Sequence, residues 1–230
     1  MRKYSIYHVS DTHSFHNQLV IPEADIMIHS GDATNPRDPY TNEKEMREFI
    51  DWYQNVNIPI KIFCAGNHDT SVERRLVTKE DFEKAGIIYL EHELVKIDGL
   101  SFFGSPFTPT FGNWAFMKAR EKLARTWESI PDIVDILIVH GPAKGILDLS
   151  ENREHELEFC GCNALRKHVL YRVKPKLMCF GHIHNFQGIL NAGTKQVVGC
   201  ETIFSNGSCV EDGRFDKGIV NNGNLITITK

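Results

Sequence analysis

The chain has 230 residues, 41% of them hydrophobic, with a formal net charge of −4. This length suits one domain, residues 1–230, with an insertion at about 94–130 and enough core to bury most of its apolar surface. The charge argues against coating nucleic acid through a broad basic face, and no apolar run approaches the ~20 residues that span a bilayer.

In chain order, short runs rich in β-branched and aromatic residues predict strands at 6–9, 24–29 and 58–65. Between the last two lies a helix: Asn42 and Glu45 have capping-box spacing, and Met46, Phe49, Ile50 and Tyr53 recur on one face. A second helix is expected from an N-cap at Thr78 to Gly86. Alternating strands and helices favour a parallel sheet covered by helices. Asp98-Gly99 between 94–97 and 100–104 signals a type I′ hairpin. A loop at 105–113 follows, then a helix with Phe116, Ala119, Leu123 and Trp127 on one face. Core strands are expected at 136–139 and 177–180, with a helix at about 163–172 between them. The tail at 189–230 reads as strands with turns at Asn206-Gly207, Asp212-Gly213 and Asn222-Gly223.

Five polar clusters each end an apolar run: Asp11-Thr12-His13, Gly31-Asp32, Gly66-Asn67-His68-Asp69, His140-Gly141 and Gly181-His182-Ile183-His184. Ending a strand on such side chains is what a parallel sheet does at its functional edge. Asp11 and His13, like His182 and His184, are two apart and would share a face of a continuing strand. Two aspartates, one asparagine and four neutral histidines carry −2; two divalent ions would leave the site near +2, suited to a phosphate ester and able to acidify a bound water. Mixed imidazole and carboxylate ligation suits Mn, Fe, Zn, Co or Ni better than Mg or Ca.

The order Asp-x-His, Gly-Asp, Gly-Asn-His-Asp, His, Gly-His-x-His resembles the calcineurin-like metallophosphoesterases. The resemblance implies a four-layer α/β/β/α sandwich of two mixed sheets flanked by helices. It also implies two ions, with manganese expected, one held by Asp11, His13, Asp32 and His184 and the other by Asp32, Asn67, His140 and His182. Asp32 would bridge them, a bridging hydroxide would attack phosphorus, and His68 would touch the phosphate and protonate the leaving oxygen.

Residues 102–116 and 134–142 resemble a narrower branch, metallophosphoesterase-domain proteins known from vertebrate brain and their bacterial relatives. These are associated with cyclic-nucleotide phosphodiesterase activity. Members of that branch can differ at the last histidine of Gly-His-x-His, and here His184 is present. The resemblance therefore implies a phosphodiesterase acting on a small nucleotide or other phosphodiester. Asn67, His68, Phe107, Phe111 and Asn113 are its candidate substrate contacts. The protein phosphatases carry Gly-Asp-x-x-Asp-Arg-Gly, in which the second Asp supports the histidine; this chain has Asn35 there and Arg37 displaced, against that alternative. The acidic balance weighs against a nuclease, and the complete ligand set against a metal-free scaffold.

Other polar residues read more plainly. His8 and His29 lie within strand patterns and fit packing or hydrogen bonding, while His16, His92, His155 and His168 are expected at the surface, as are Arg74-Arg75 and the run Arg166-Lys167-His168. Six cysteines are not a disulfide framework, and Cys160-Gly161-Cys162 has no partner pair to complete a metal site. With no secretory signal visible at Met1-Arg2-Lys3-Tyr4-Ser5, a cytoplasmic setting is expected.

Overall fold

The computed structural model describes residues 2–152, 154–212 and 217–230. The strands are β1 (Lys3–Val9), β2 (Ile26–His29), β3 (Ile60–Phe63), β4 (Ile88–Tyr89), β5 (Glu93–Ile97), β6 (Leu100–Ser105), β7 (Thr108–Pro109) and β8 (Met117–Lys118). They continue as β9 (Ile136–Val139), β10 (Leu149–Glu151), β11 (Leu157–Phe159), β12 (Leu177–Phe180), β13 (Gly193–Lys195), β14 (Ile203–Asn206) and β15 (Asn224–Thr229). The α-helices are α1 (Pro39–Gln54), α2 (Thr70–Glu73), α3 (Lys79–Lys84), α4 (Arg120–Glu128) and α5 (Asn163–His168).

Two large mixed sheets form, ordered β15-β1-β2-β3-β4 and β13-β14-β12-β9-β6-β5. In the first, β1 to β4 are parallel and β15 is antiparallel to β1. In the second, β6, β9, β12 and β14 are parallel, and the outer strands β5 and β13 are antiparallel. Strand alternation then builds three cores. Ile6, Ile28 and Ile62 of the first sheet meet Ile136, Ile138, Leu177 and Cys179 of the second. The outward neighbours Tyr7, Val9, Met27 and Phe63 pack under Met46, Phe49 and Tyr53 of α1. Leu137, Val139, Met178 and Phe180 pack under Leu123 and Trp127 of α4 and Leu165 of α5. The layers are therefore helix, sheet, sheet, helix, as expected. No helix among the described residues is long and apolar enough to cross a membrane.

Several local expectations change. Helix α1 begins at Pro39, not at Asn42, because the Asp38 carboxylate accepts the Thr41 N–H at 2.9 Å and proline fits the first helical turn. Asn42 is instead buried within the helix, its amide donating to the Thr34 hydroxyl and to the Pro36 and His68 carbonyls. Phe116 is not on α4. It has φ 54°, donates its N–H to Glu73 Oε1 at 2.7 Å and packs in the core beneath the first sheet, and α4 starts only after Ala119. His16 is buried against Phe49 and Trp52, and His92 is half-buried between Ser105 and Ser129. Neither is a surface residue.

The Asp98-Gly99 turn has both residues at positive φ, as a type I′ hairpin requires. Asn206-Gly207 is not a hairpin turn but the end of β14, where the Gly207 N–H meets the Phe180 carbonyl. Gly213, half of another expected turn, lies outside the described residues.

Candidate active site

Strand ends of both sheets converge on one edge. The Asp11 N–H donates to the Gly31 carbonyl at 2.8 Å and the Gly181 N–H to the His140 carbonyl at 2.9 Å, so neighbouring loops are in register. The His182 N–H reaches the Asp11 carboxylate at 3.0 Å and links the two sheets. Two groups result, Asp11 with His13 and His184, and Asp32 with His140 and His182. Within each group one carboxylate oxygen and two imidazole nitrogens lie within 4.8 Å of one another. Asn67 Oδ1 is 3.1 Å from His140 Nε2, which is itself 3.2 Å from Asp32 Oδ2.

Two backbone features allow this approach. Asp11, His13, Asp32 and His182 all have left-handed φ, between 41° and 69°, which non-glycine residues adopt at a cost of about 1–3 kcal/mol each. Glycines then give the carboxylates room. A Cβ at Gly66 would collide with Asp32 Oδ1, and one at Gly181 with Asp11 Oδ2.

Burial shapes the charges. It drives His13 and His182 down to about 3, so both are neutral, lone-pair donors. Burial also opposes charge on His140 and His184, but the Asp32 and Asp11 carboxylates beside them prevail and lift them to about 9 and about 10. The same contacts, against burial, hold Asp11 and Asp32 below the usual carboxylate range. The donor set of carboxylate oxygens and imidazole nitrogens fits divalent transition-metal ions, which would take up the same carboxylate charge.

The ring orientations are set from outside. The His13 Nδ1 faces the Thr34 carbonyl at 3.1 Å and the His140 Nδ1 the Ser30 carbonyl at 2.9 Å. A carbonyl only accepts, so each Nδ1 carries the proton and each Nε2 is turned to the centre. The Ser208 hydroxyl donates to Asp11 Oδ2 at 2.9 Å, and Asp212 lies 2.8 Å from His184 Nδ1. His8 and His29 are buried and hydrogen-bonded to Ser205 and Ser30, and to Thr12, outside both groups.

His68 lies beside the centre. Its Nδ1 is 3.1 Å from the Asn35 carbonyl, its ring is 4.7 Å from that of His13, and it stacks on Trp114 at 4.1 Å. With Asp32, Asn67, His182 and His184 it lines a cavity of about 600 Å³. Phe111, half exposed, is on its wall with its ring 5.2 Å from His182. Of the other proposed contacts, Phe107 packs against two of the cores and under the Lys118 ammonium. Asn113 lines a separate cavity with Arg37 and Arg74. Arg75 pairs with Glu91 away from the centre.

Three contributors have little sequence signal. Asp69 follows the histidine with no role implied, yet it is buried and holds the turns bearing Asp32 and Gly66. Asn42 ties the His68 carbonyl to α1. Trp114 reads as one aromatic among several in a loop.

The profile of the calcineurin-like phosphoesterase family matches residues 4–186. The chain belongs to that family. It is 33% identical over 213 residues to metallophosphoesterase domain-containing protein 1 of Homo sapiens and of Mus musculus, covering 83% of this chain. It spans 63% of the length of those relatives. It is also 36% identical over 192 residues to a probable rhamnogalacturonate lyase C of Emericella nidulans, covering 78% of this chain and 17% of that protein. Among solved structures, a hypothetical protein from Thermus thermophilus is similar at 12% identity, with a TM-score of 0.42 over 91% of this chain and 77% of its own.

Proposed function

We propose that this phosphoesterase is a dinuclear metal-dependent phosphodiesterase, acting in the cytoplasm on small nucleotides, cyclic ones included. One observation carries the reading: two groups of one carboxylate and two imidazoles, buried except for the partly exposed His182, lie side by side, and members of both share one cavity with His68. In this reading Asp11, His13, Asp32 and His184 hold one ion, Asp32, Asn67, His140 and His182 hold the other, and manganese serves best. When bound, such ions offset phosphate charge and make water acidic enough to act near neutral pH. Asp32 joins the two sets of donors. With its Nδ1 proton directed to the Asn35 carbonyl, His68 keeps Nε2 for the phosphate and for passing a proton to the leaving oxygen. Phe111 offers a face on which a base can stack.

Purified protein loaded with manganese is expected to hydrolyse bis-p-nitrophenyl phosphate, and Asp32→Asn to lose about 100-fold or more of that rate. His68→Ala is expected to keep its metal and slow turnover. Full activity in Asp32→Asn would sink the bridging role. A panel of cyclic mononucleotides, monoesters and short oligonucleotides then separates a phosphodiesterase of small nucleotides from a monoesterase or a nuclease on the same site.

A further inference from the structure

We infer that Trp114 is the positioning residue that sets the plane of the His68 ring. The Asn35 carbonyl holds one ring atom of His68 at 3.1 Å and the His13 ring meets it edge-on at 4.7 Å, but neither covers a face of the ring, which keeps some freedom about the intrinsically broad outer torsion of histidine. The indole removes that freedom. It stacks on the imidazole with centroids 4.1 Å apart and planes 29° from parallel.

The indole is itself held. The Arg37 guanidinium carbon sits 4.3 Å from its centre, and Arg37 Nε donates to the Asn113 carbonyl at 3.0 Å. The next residue in the chain, Ala115, donates its N–H to the Asn67 carbonyl at 3.0 Å, so the loop that carries the indole is fastened to the turn that carries the imidazole. Phe116 N–H, bound to Glu73, anchors the loop a second time. A purely packing role fits poorly. Ala115 and Phe116 are buried in the core beneath the first sheet, whereas Trp114 is only half-buried and belongs to none of the three cores.

At this site, therefore, an aromatic stack and a main-chain carbonyl together orient the histidine, where the protein phosphatases use the carboxylate replaced here by Asn35. The inference rests on His68 acting at the phosphate, so its test includes an arm that needs no turnover. In proton–carbon correlation spectra of the metal-free chain, the His68 ring protons, assigned by their loss in His68→Asn, are expected upfield because they lie over the indole. In Trp114→Ala, carbon relaxation of the same ring C–H groups is expected to report a lower order parameter, as a ring released about its outer torsion gives, and in Trp114→Phe a recovered one. With manganese and bis-p-nitrophenyl phosphate, Trp114→Ala is expected to lower kcat by on the order of 10- to 100-fold, with KM and bound metal unchanged. Trp114→Phe restores most of the lost rate, and Trp114→Ala adds nothing to the loss already present in His68→Ala. Ring order unchanged in Trp114→Ala, or the same fold-loss with and without His68, would overturn the inference. Lowered ring order in Trp114→Ala of a chain without turnover would uphold it and remove the phosphodiesterase reading alone.

Discussion

The Asp69 carboxylate accepts the Asp32 N–H at 2.9 Å, and the same oxygen accepts the Gly66 N–H at 2.7 Å. Its other oxygen takes the Thr34 N–H at 3.2 Å and the Thr34 hydroxyl at 2.9 Å. One buried side chain thus spans the turns after β2 and β3. Burial and the nearby Asp32 charge push its carboxyl up to about 6, so the fold holds it there against an electrostatic cost. Asp69→Ala would leave buried donors unpaired and is expected to cost about 2 kcal/mol or more and to lower metal content. Asp69→Asn keeps one acceptor and is expected to fall between the two. Chemical denaturation with metal analysis of the same samples checks both.

Close approach at Gly181 gives a second expectation. A Cβ there would meet Asp11 Oδ2 and the Ser10 side chain, both buried and hydrogen-bonded. Gly181→Ala is expected to displace Asp11 and reduce bound metal and turnover together. A variant with full metal and full rate would show that the site has slack.

Phe107 and Phe111 are expected to behave oppositely. Phe107 joins the two helix-covered cores, so Phe107→Ala is expected to lower stability by roughly 2–4 kcal/mol and leave KM unchanged. Phe111 is half exposed on the cavity wall; Phe111→Ala is expected to leave the melting temperature in place and raise KM for a nucleotide by roughly 5-fold or more. Steady-state kinetics and thermal melts of the two variants separate these roles.

Asp135 gives a pH dependence away from the centre. Burial raises its pKa, but the Ser101 N–H and hydroxyl, both at 2.9 Å, and Lys176 at 3.1 Å outweigh burial and leave it below the ordinary carboxylate value. A carboxyl with a lowered folded pKa contributes stability above its unfolded pKa, about 3.9, and loses it as pH falls through the folded value. Asp135→Asn is therefore expected to be less stable by about 1 kcal/mol at pH 7, with the gap closing in acid below about pH 4. Denaturant melts at pH 7 and pH 3 test the convergence.

The ligand-type residues were legible because each follows an apolar run that ends at a sheet edge. Asp11 and His13 do fall in one group, but His182 and His184 divide between the two, because left-handed backbone at Asp11, His13 and His182 replaces the continuing strand their spacing suggested. The layered α/β architecture followed from alternating strand and helix patterns. What stayed hidden depends on contacts distant in sequence. Phe116 shares a helical period with Leu123 and Trp127, yet the Glu73 carboxylate claims its N–H and diverts it to the other core. His16 looks like a surface residue until Phe49 and Trp52 cover it. Asn42 has the spacing of a cap, but Asp38 and Pro39 take the helix start and leave its amide for Thr34 and His68. Asp69 and Trp114 matter for the side chains they immobilise, which no local pattern records.

Neither candidate metal group is made by one sheet. Asp11, His13, Asp32 and Asn67 follow strands of the first, and His140, His182 and His184 follow strands of the second. In the dinuclear reading, each ion is a strut across the seam between the sheets, closing loops of more than a hundred residues that the apolar layer between them already brings near. Metal affinity then reports on the docking of the two halves. A substitution in that interlayer core, such as at Ile138, can weaken the centre without touching it, and bound metal can in turn slow hydrogen exchange along β1 and β12 together.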